Sequence, residues 1–299
     1  MIHKWRYLQR TVKDIGVLFQ PLEDIIRRKF IPNLLGRECS DLDRIMLSLP
    51  SREGGLNIPN PTKTSELEFY CSTVMTKDLK EQIILQEKGI VCSETDNAIK
   101  DITEVKSKWT ADKAKYVYEH ANTNLKRSID IAKEKGASSW LTTLPIADLG
   151  FSLNKQEFRD AVSLRYNWTI KDLAPECACG KQNSSDHALV CNLGGYTIMR
   201  HNELRDLECS MLRTVCRDVR SEPKLIPVTG EQFNRSTIID DEARPDISAR
   251  DVWGRMDKAF FDVRITHPNA ESMRNMPLSK IYEKHENEKK RSYIQQPNC

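Results

Sequence analysis

Ala243-Arg244-Pro245-Asp246-Ile247-Ser248-Ala249-Arg250 and, after a short break, Ala259-Phe260-Phe261-Asp262-Val263-Arg264-Ile265-Thr266-His267 decide how this chain is read. The two strand-like runs flank Gly254, and each carries one Asp. In the second run Phe261, Val263 and Ile265 alternate with Phe260, Asp262 and Arg264. A period of two puts Asp262 and Arg264 on one face. In the first run Asp246 and Ser248 share a face, opposite Ile247 and Ala249. If the runs pair as a hairpin, Asp246 and Asp262 converge, their carboxylates within roughly 6 Å of each other. Two close carboxylates repel and favour a hard divalent cation between them. Such a cation activates water and neutralises a phosphodiester, which is the chemistry of a metal-dependent nuclease. The plainer alternative is an Asp in a Pro-Asp turn and an Asp-x-Arg surface ion pair.

Composition sets the frame around this stretch. A chain of 299 residues has room for two or three small domains. Apolar residues make up 39% and charged residues 30%, with a mean hydropathy of −0.57, which suits helix-rich units with modest cores. Apolar runs are too short for a transmembrane helix or a signal peptide. A nuclear or cytoplasmic protein is expected, with no membrane partner and no secretion. The nine cysteines then read as reduced thiols and metal ligands. Residues 1–37 hold eight Lys/Arg against three Asp/Glu, a net +5 in a chain of net +3. This suits phosphate contacts or a solvated helix face equally well.

Upstream, the pattern is helical. Trp5, Leu8, Val12, Ile15, Leu18 and Phe19 keep helical spacing up to a break at Pro21, and Leu22, Ile25, Ile26 and Phe30 resume it. Ser40 with Asp43 caps a short helix. Ser51–Pro61 reads as loop, and Ser65-x-x-Glu68 as a capping box that opens another helix. Residues 96–135 read as one or two long helices, with a packing stripe of Ile99, Ile102, Val105 and Trp109. Asn154-x-x-Glu157 caps a further helix. A helix is expected over Asn202–Val219, strands over 221–267, and a helix over Ser279–Ile294.

Cys177-x-Cys179, His187 and Cys191 offer three thiols and an imidazole within fifteen residues. Soft sulfur plus nitrogen, four ligands in all, suits a tetrahedral structural zinc with no open position. Gly180, Gly194 and Gly195 let the backbone wrap the ion. The four ligand atoms are expected within roughly 4 Å of one another. Free thiols in a short loop are the alternative.

Several stretches together resemble one family. His187-Ala-Leu-Val-Cys191-x-x-Gly194-Gly195, followed by Arg200-His201-Asn202-Glu203-Leu204-Arg205-Asp206, resembles the tail of non-LTR retrotransposon polyproteins. Those tails place a CCHC zinc knuckle before a restriction-like endonuclease. Pro245-Asp246 with Asp262-Val263-Arg264 is similar to the PD-(D/E)xK core, with Arg264 where Lys is usual. Leu47-Ser48-Leu49-Pro50-Ser51-Arg52-Glu53-Gly54-Gly55-Leu56 looks like the thumb segment after the reverse-transcriptase palm.

The resemblance implies metal-binding roles for Asp246 and Asp262, with Glu203 as a third acid. It gives Arg264, or a migrated Lys284 or Lys289 with Tyr293 nearby, the cationic role. His201 and Arg205 would contact phosphate or brace the knuckle; a capped helix start with surface pairs is the alternative for Glu203, His201 and Arg205. The polymerase palm has no counterpart, and the family would add a strand and helix after Cys299. A truncated core is therefore expected, which counts against activity.

The expected architecture is α+β, with a helical N-terminal half followed by a small zinc knuckle and an incomplete restriction-endonuclease-like αβ core. Its divisions are a thumb-like segment 1–60, a helical connector 61–170, a knuckle 171–200 and a nuclease domain 201–299. The expected function is Mg²⁺-dependent nicking of DNA, with structural Zn²⁺. The alternative is a zinc-dependent module that binds DNA or RNA without cleaving it.

Overall fold

Helical spacing at the N-terminus does produce a helix, α1 (Ile2–Thr11), but it ends well before Pro21. The chain turns at Asp14, whose φ is +56°, and passes through a single tight turn at Gly16–Phe19. Pro21 then sits in the first turn of α2 (Gln20–Ile25), where a missing N–H costs nothing. A π-helical turn, Ile26–Phe30, links α2 to α3 (Ile31–Leu35). Pro32 lies just beyond it; its ring and absent N–H disturb the hydrogen-bond ladder there.

The computed structural model describes residues 2–86, 95–193, 196–223 and 245–294. The chain forms two units, Met1–Lys171 and Asp172–Cys299. The expected divisions at 60 and 200 fall inside these units.

The first unit continues with α4 (Asp41–Ser48), α5 (Pro61–Met75), α6 (Lys77–Leu85), α7 (Thr95–His120), α8 (Thr123–Lys133) and α9 (Lys155–Tyr166). The caps at Ser40 and Asn154 form as expected, each a reciprocal capping box. The one expected at Ser65 does not. Asn60 caps α5 instead, accepting from Thr62 N and Lys63 N. Ser65 lies inside α5, buried where the turn at Gly16 comes close. Glu68 turns to Arg10 at 3.0 Å and Arg6 at 3.8 Å.

The core of this unit gathers Ile31, Leu35, Met46, Leu47, Val117, Ile129, Val162 and Tyr166. Each such wholly buried aliphatic side chain contributes about 1.5–3 kcal/mol. The expected stripe along α7 is only half-buried, and its first member, Ile99, is 49% exposed. The segment Leu49–Ile58 is structural. Gly54 has φ +89° and its carbonyl accepts from Tyr166 Oη at 2.8 Å. A Cβ on Gly55 would lie 2.0 Å from Leu49 O.

Arg44 lies buried in this core and holds Glu23 through Nε at 2.6 Å and Nη2 at 2.8 Å. It also donates to Ile58 O and Pro59 O. Glu23→Ala strands a buried guanidinium, so the first unit should lose about 3–5 kcal/mol in chemical denaturation.

Lys113 of α7 sits over Trp109, 3.4 Å from the ring centroid. Burial first, then Arg44 and Lys63, pull its amine down to about 8. The folded state therefore resists the charge. The cost is full below about 8 and gone above 10.5, where the amine is neutral folded or unfolded. Lys113→Met should stabilise this unit at pH 7 by about 1 kcal/mol, after a discount for solvent access, or about 2–4 °C in Tm. A melting series should show the advantage constant up to about pH 8 and then shrinking to nothing by 10.5.

Half of the eight Lys/Arg in the basic N-terminal stretch are committed to internal pairs. Arg6 and Arg10 hold Glu68, Arg27 holds Asp41, and Arg37 holds Asp43 while lying over Trp168.

The second unit carries α10 (Ser185–Val190), α11 (Tyr196–Val215), β1 (Arg217–Ser221), β2 (Ile247–Arg250), β3 (Lys258–Phe261) and α12 (Leu278–Ile294). The strands form one antiparallel sheet in the order β1-β2-β3. The whole is α+β, and among the described residues strands are confined to this unit. The helix expected over Asn202–Val219 starts earlier and stops at Val215, and Val219 lies in β1. Pairing with β2 overrides the helical pattern there, through a bulge between Arg217 and Arg220. Of the strands expected over 221–267, residues 224–244 lie outside the described residues. Among the described residues the buried apolar set is Cys209, Ile247, Ala249, Ala259, Leu278 and Ile281. No helix among the described residues is long and apolar enough to cross a membrane.

Candidate metal centre and paired-acid site

The Cys/His cluster is built from local turns. Cys177 N donates to Lys181 O, and Gly180 N to Cys177 O, with Gly180 at φ +78°. This tight turn presents Cys177 and Cys179 together. Ser184 then caps α10 by accepting from His187 N, which fixes His187 in the first turn. Cys191 follows at the helix end, its N–H on His187 O. Cys177 Sγ and Cys191 Sγ lie 3.6 Å apart, and Cys179 Sγ lies 3.2 Å from His187 Nε2. All four ligand atoms fall within 4.8 Å of one another. That is slightly looser than expected, and close to the ligand–ligand edges of about 3.3–3.8 Å that tetrahedral zinc needs. Three thiols and an imidazole fit a metal such as zinc. Gly194 and Gly195 lie outside the described residues.

The hairpin register places the two Asp residues. Ile247 pairs with Phe261 and Ala249 with Ala259. One step further sets Asp246 against Asp262, just beyond the strand ends. Glu222 N donates to Asp246 O, continuing the ladder on the other side. The two carboxyls are near enough for Asp262 to make Asp246 harder to ionise. Asp246 Oδ2 accepts from Val263 N at 2.6 Å. Burial first, and also Asp262, push the Asp246 carboxyl above its usual range, against the pull of Val263 N–H and His201. Paired, partly desolvated acids of this kind fit a hard cation.

His201 Nε2 lies 3.3 Å from Asp246 Oδ1 and 3.2 Å from Val263 O. Both neighbours are acceptors, so Nε2 carries the ring proton and donates. Lys289 Nζ, from α12, lies 2.5 Å from Asp262 Oδ2. His201 and Lys289 thus flank the acid pair from two helices.

Other expected members are elsewhere. Glu203 is exposed, with no hydrogen bond or ion pair among the described residues. At about 100° per residue it points some 200° around α11 from His201. Arg264 pairs with Glu288 at 3.0 Å instead of lining the acids. Lys284 is exposed and lies near enough to Glu288 to help lower its carboxyl. The Tyr293 side chain lies outside the described residues. Arg205, one turn from His201, is held by Asp206 and Glu222. Neither His201 nor Arg205 braces the cluster; Arg200 does, donating from Nη2 to Leu189 O at 2.7 Å.

A second brace was not legible in sequence. Asp186, beside the ligand His187, accepts from His267 Nε2 at 2.7 Å and from Asn269 Nδ2 at 3.3 Å. The cluster is therefore tied to both flanks of the acid pair, through Arg200 next to His201 and through His267 just after Asp262. These contacts span 81 and 83 residues, and no spacing rule reaches that far.

No family model matches this chain, and no curated protein or solved structure matches it significantly.

Proposed function

We propose that the second unit is a metal-dependent DNA endonuclease module of the kind found at the tail of non-LTR retrotransposon polyproteins. The observation that carries this is the hairpin register, which opposes Asp246 to Asp262 with Lys289 on the second acid. Asp246 and Asp262 would hold Mg²⁺. A divalent ion held there would supply a water of lowered pKa and offset charge on the scissile phosphate. His201 keeps Asp246 turned toward its partner acid. Lys289 supplies the cation that Arg264 cannot, since Glu288 occupies Arg264. Its ammonium would stabilise charge developing on a phosphate oxygen. The Cys/His cluster would hold Zn²⁺ as a structural ion. Supercoiled plasmid incubated with the full chain and Mg²⁺ should relax to nicked circles, and a chelator should abolish this. Intact plasmid after long incubation with Mg²⁺ or Mn²⁺ would remove the enzymatic reading.

A second reading has its own observation. Lys289 already neutralises Asp262 at 2.5 Å, and Glu203 faces away, so few free acid oxygens remain for a cation. The unit would then be a zinc-dependent module that binds DNA or RNA without cleaving it. Its binding would weaken steeply with salt and be indifferent to Mg²⁺.

A further inference from the structure

The acids occupy only one end of their sheet face. Strand pleating sorts the residues of that face into rows. Asp246 and Asp262 form the first row. Arg220, Ser248 and Phe260 form the second, and Arg217, Arg250 and Lys258 the third, as the strand registers require. Successive rows are two residues apart, roughly 6.8 Å along the strands. Two properties of the second and third rows need an explanation.

One is Phe260. It is 47% exposed on the edge strand β3, while its neighbour Ala259 is buried. Lys258 Nζ lies over its ring, 5.3 Å from the centroid, so the ring already engages one cation. The other is charge. Arg217, Arg220, Arg250 and Lys258 bring four cations to two rows. Among the described residues, Asp218 takes Arg220 at 2.8 Å and Arg250 at 3.4 Å, and Asp251 takes Arg217 at 2.5 Å. Counted over the described residues, four cations against two acids leave these rows net positive, and the arginine side chains are 43–68% exposed. A half-exposed aromatic ring beside cations, on the same face as an acid pair, fits a polyanion that carries flat rings.

We propose that this face is a track for single-stranded DNA leading to Asp246 and Asp262. The track takes its direction from the endonuclease reading; its binding chemistry stands without it. Phe260 stacks an unpaired base, and Arg220, Arg250 and Lys258 take the flanking phosphates. A duplex keeps its bases stacked on each other and offers Phe260 no free face. The row spacing matches about one nucleotide of extended strand, so each row meets a successive unit of the chain. The surface therefore selects unpaired over paired DNA by stacking, and holds either one only weakly by charge.

Fluorescence anisotropy of the full chain with labelled single-stranded DNA tests this, with Ca²⁺ replacing Mg²⁺ and with duplex and RNA of the same sequence as competitors. Single-stranded DNA should bind at least about tenfold more tightly than duplex, the effect of one stacked base. Phe260→Ala should weaken single-strand binding about tenfold and leave duplex binding unchanged, and Phe260→Trp should retain it. Arg250→Gln with Lys258→Gln should flatten the slope of log Kd against log salt by about 1.4, or two phosphate contacts. Matching melting curves establish that the variants are folded.

Equal affinity for single strand and duplex would overturn the proposal. So would a folded Phe260→Ala chain that binds like wild type, or RNA that outcompetes DNA. Binding without nicking refutes the endonuclease reading and leaves the track. Nicking that Phe260→Ala leaves unaltered, with single-strand binding unaltered too, refutes the track alone.

Discussion

Asp246→Asn and Asp262→Asn should each lower Mg²⁺-dependent nicking by on the order of 10²–10³-fold, the size expected when one preorganised charge-handling group is lost. Stability should move the other way. The Asp246 carboxyl is raised by burial and by Asp262, so its charged form is penalised in the folded state. A raised carboxyl binds its proton more tightly when folded. Its stabilising effect is present at low pH and lost as pH rises through the folded value. At neutral pH without metal, Asp246→Asn should therefore melt higher than wild type. The amide oxygen can still accept from Val263 N–H, so the local geometry survives. Adding Mg²⁺ should raise the wild-type Tm and leave the variant where it was. Thermal melts at pH 5 and pH 7.5, with and without Mg²⁺, read all of this alongside the plasmid assay. A variant that loses both activity and stability would mean that Asp246 is a structural acid. Lys289→Ala complements the test: it frees Asp262 Oδ2, so cation affinity should rise while turnover falls.

Removal of zinc is the second large effect. Binding of a structural zinc by short peptides is worth about 10–16 kcal/mol in apparent free energy at pH 7, much of it folding energy. Among its described residues the second unit has few buried apolar side chains, so the Cys/His cluster should carry much of its stability. The purified chain should contain one zinc, and Cys179→Ser or a strong chelator should unfold the Cys/His cluster segment. The first unit, with its own core, should keep its melting transition. The damage should also reach the acid pair, because Asp186 holds His267 and Arg200 holds Leu189 O. His267→Ala separates the two effects: it should lower nicking without releasing zinc. Metal analysis with calorimetry checks the stoichiometry and the two transitions. A chain that binds no zinc, or a chelated one that melts unchanged, would leave the four ligands as ordinary thiols and an imidazole.

Much of the local structure was written in short-range pattern. The capping boxes at Ser40 and Asn154 formed because a cap needs only a side-chain oxygen and an acid three residues on. The Cys/His cluster was legible for the same reason, since all four ligands lie within one turn and one short helix. The hairpin pairing of Asp246 with Asp262 followed from period-two alternation around a tight connection. Where local rules failed, a distant neighbour had intervened. Ser65 satisfied a capping pattern, yet Asn60 and the approach of Gly16 put it inside α5. Glu203 lay in the right stretch, but the rotation of α11 was set by its packing on the sheet, which turned His201 inward and Glu203 out.

By itself, then, the sequence determined the α+β class, the Cys/His cluster and the facing of two acids, all consequences of short spacings. Only the tertiary structure decided which cation serves those acids and what binds the ligand cluster to them. Lys289 rather than Arg264 reaches Asp262, and Asp186 reaches across to His267, because helix and strand surfaces meet at points that no chain spacing encodes. A side chain's partner in such a contact is chosen by burial and geometry, with the whole unit in place.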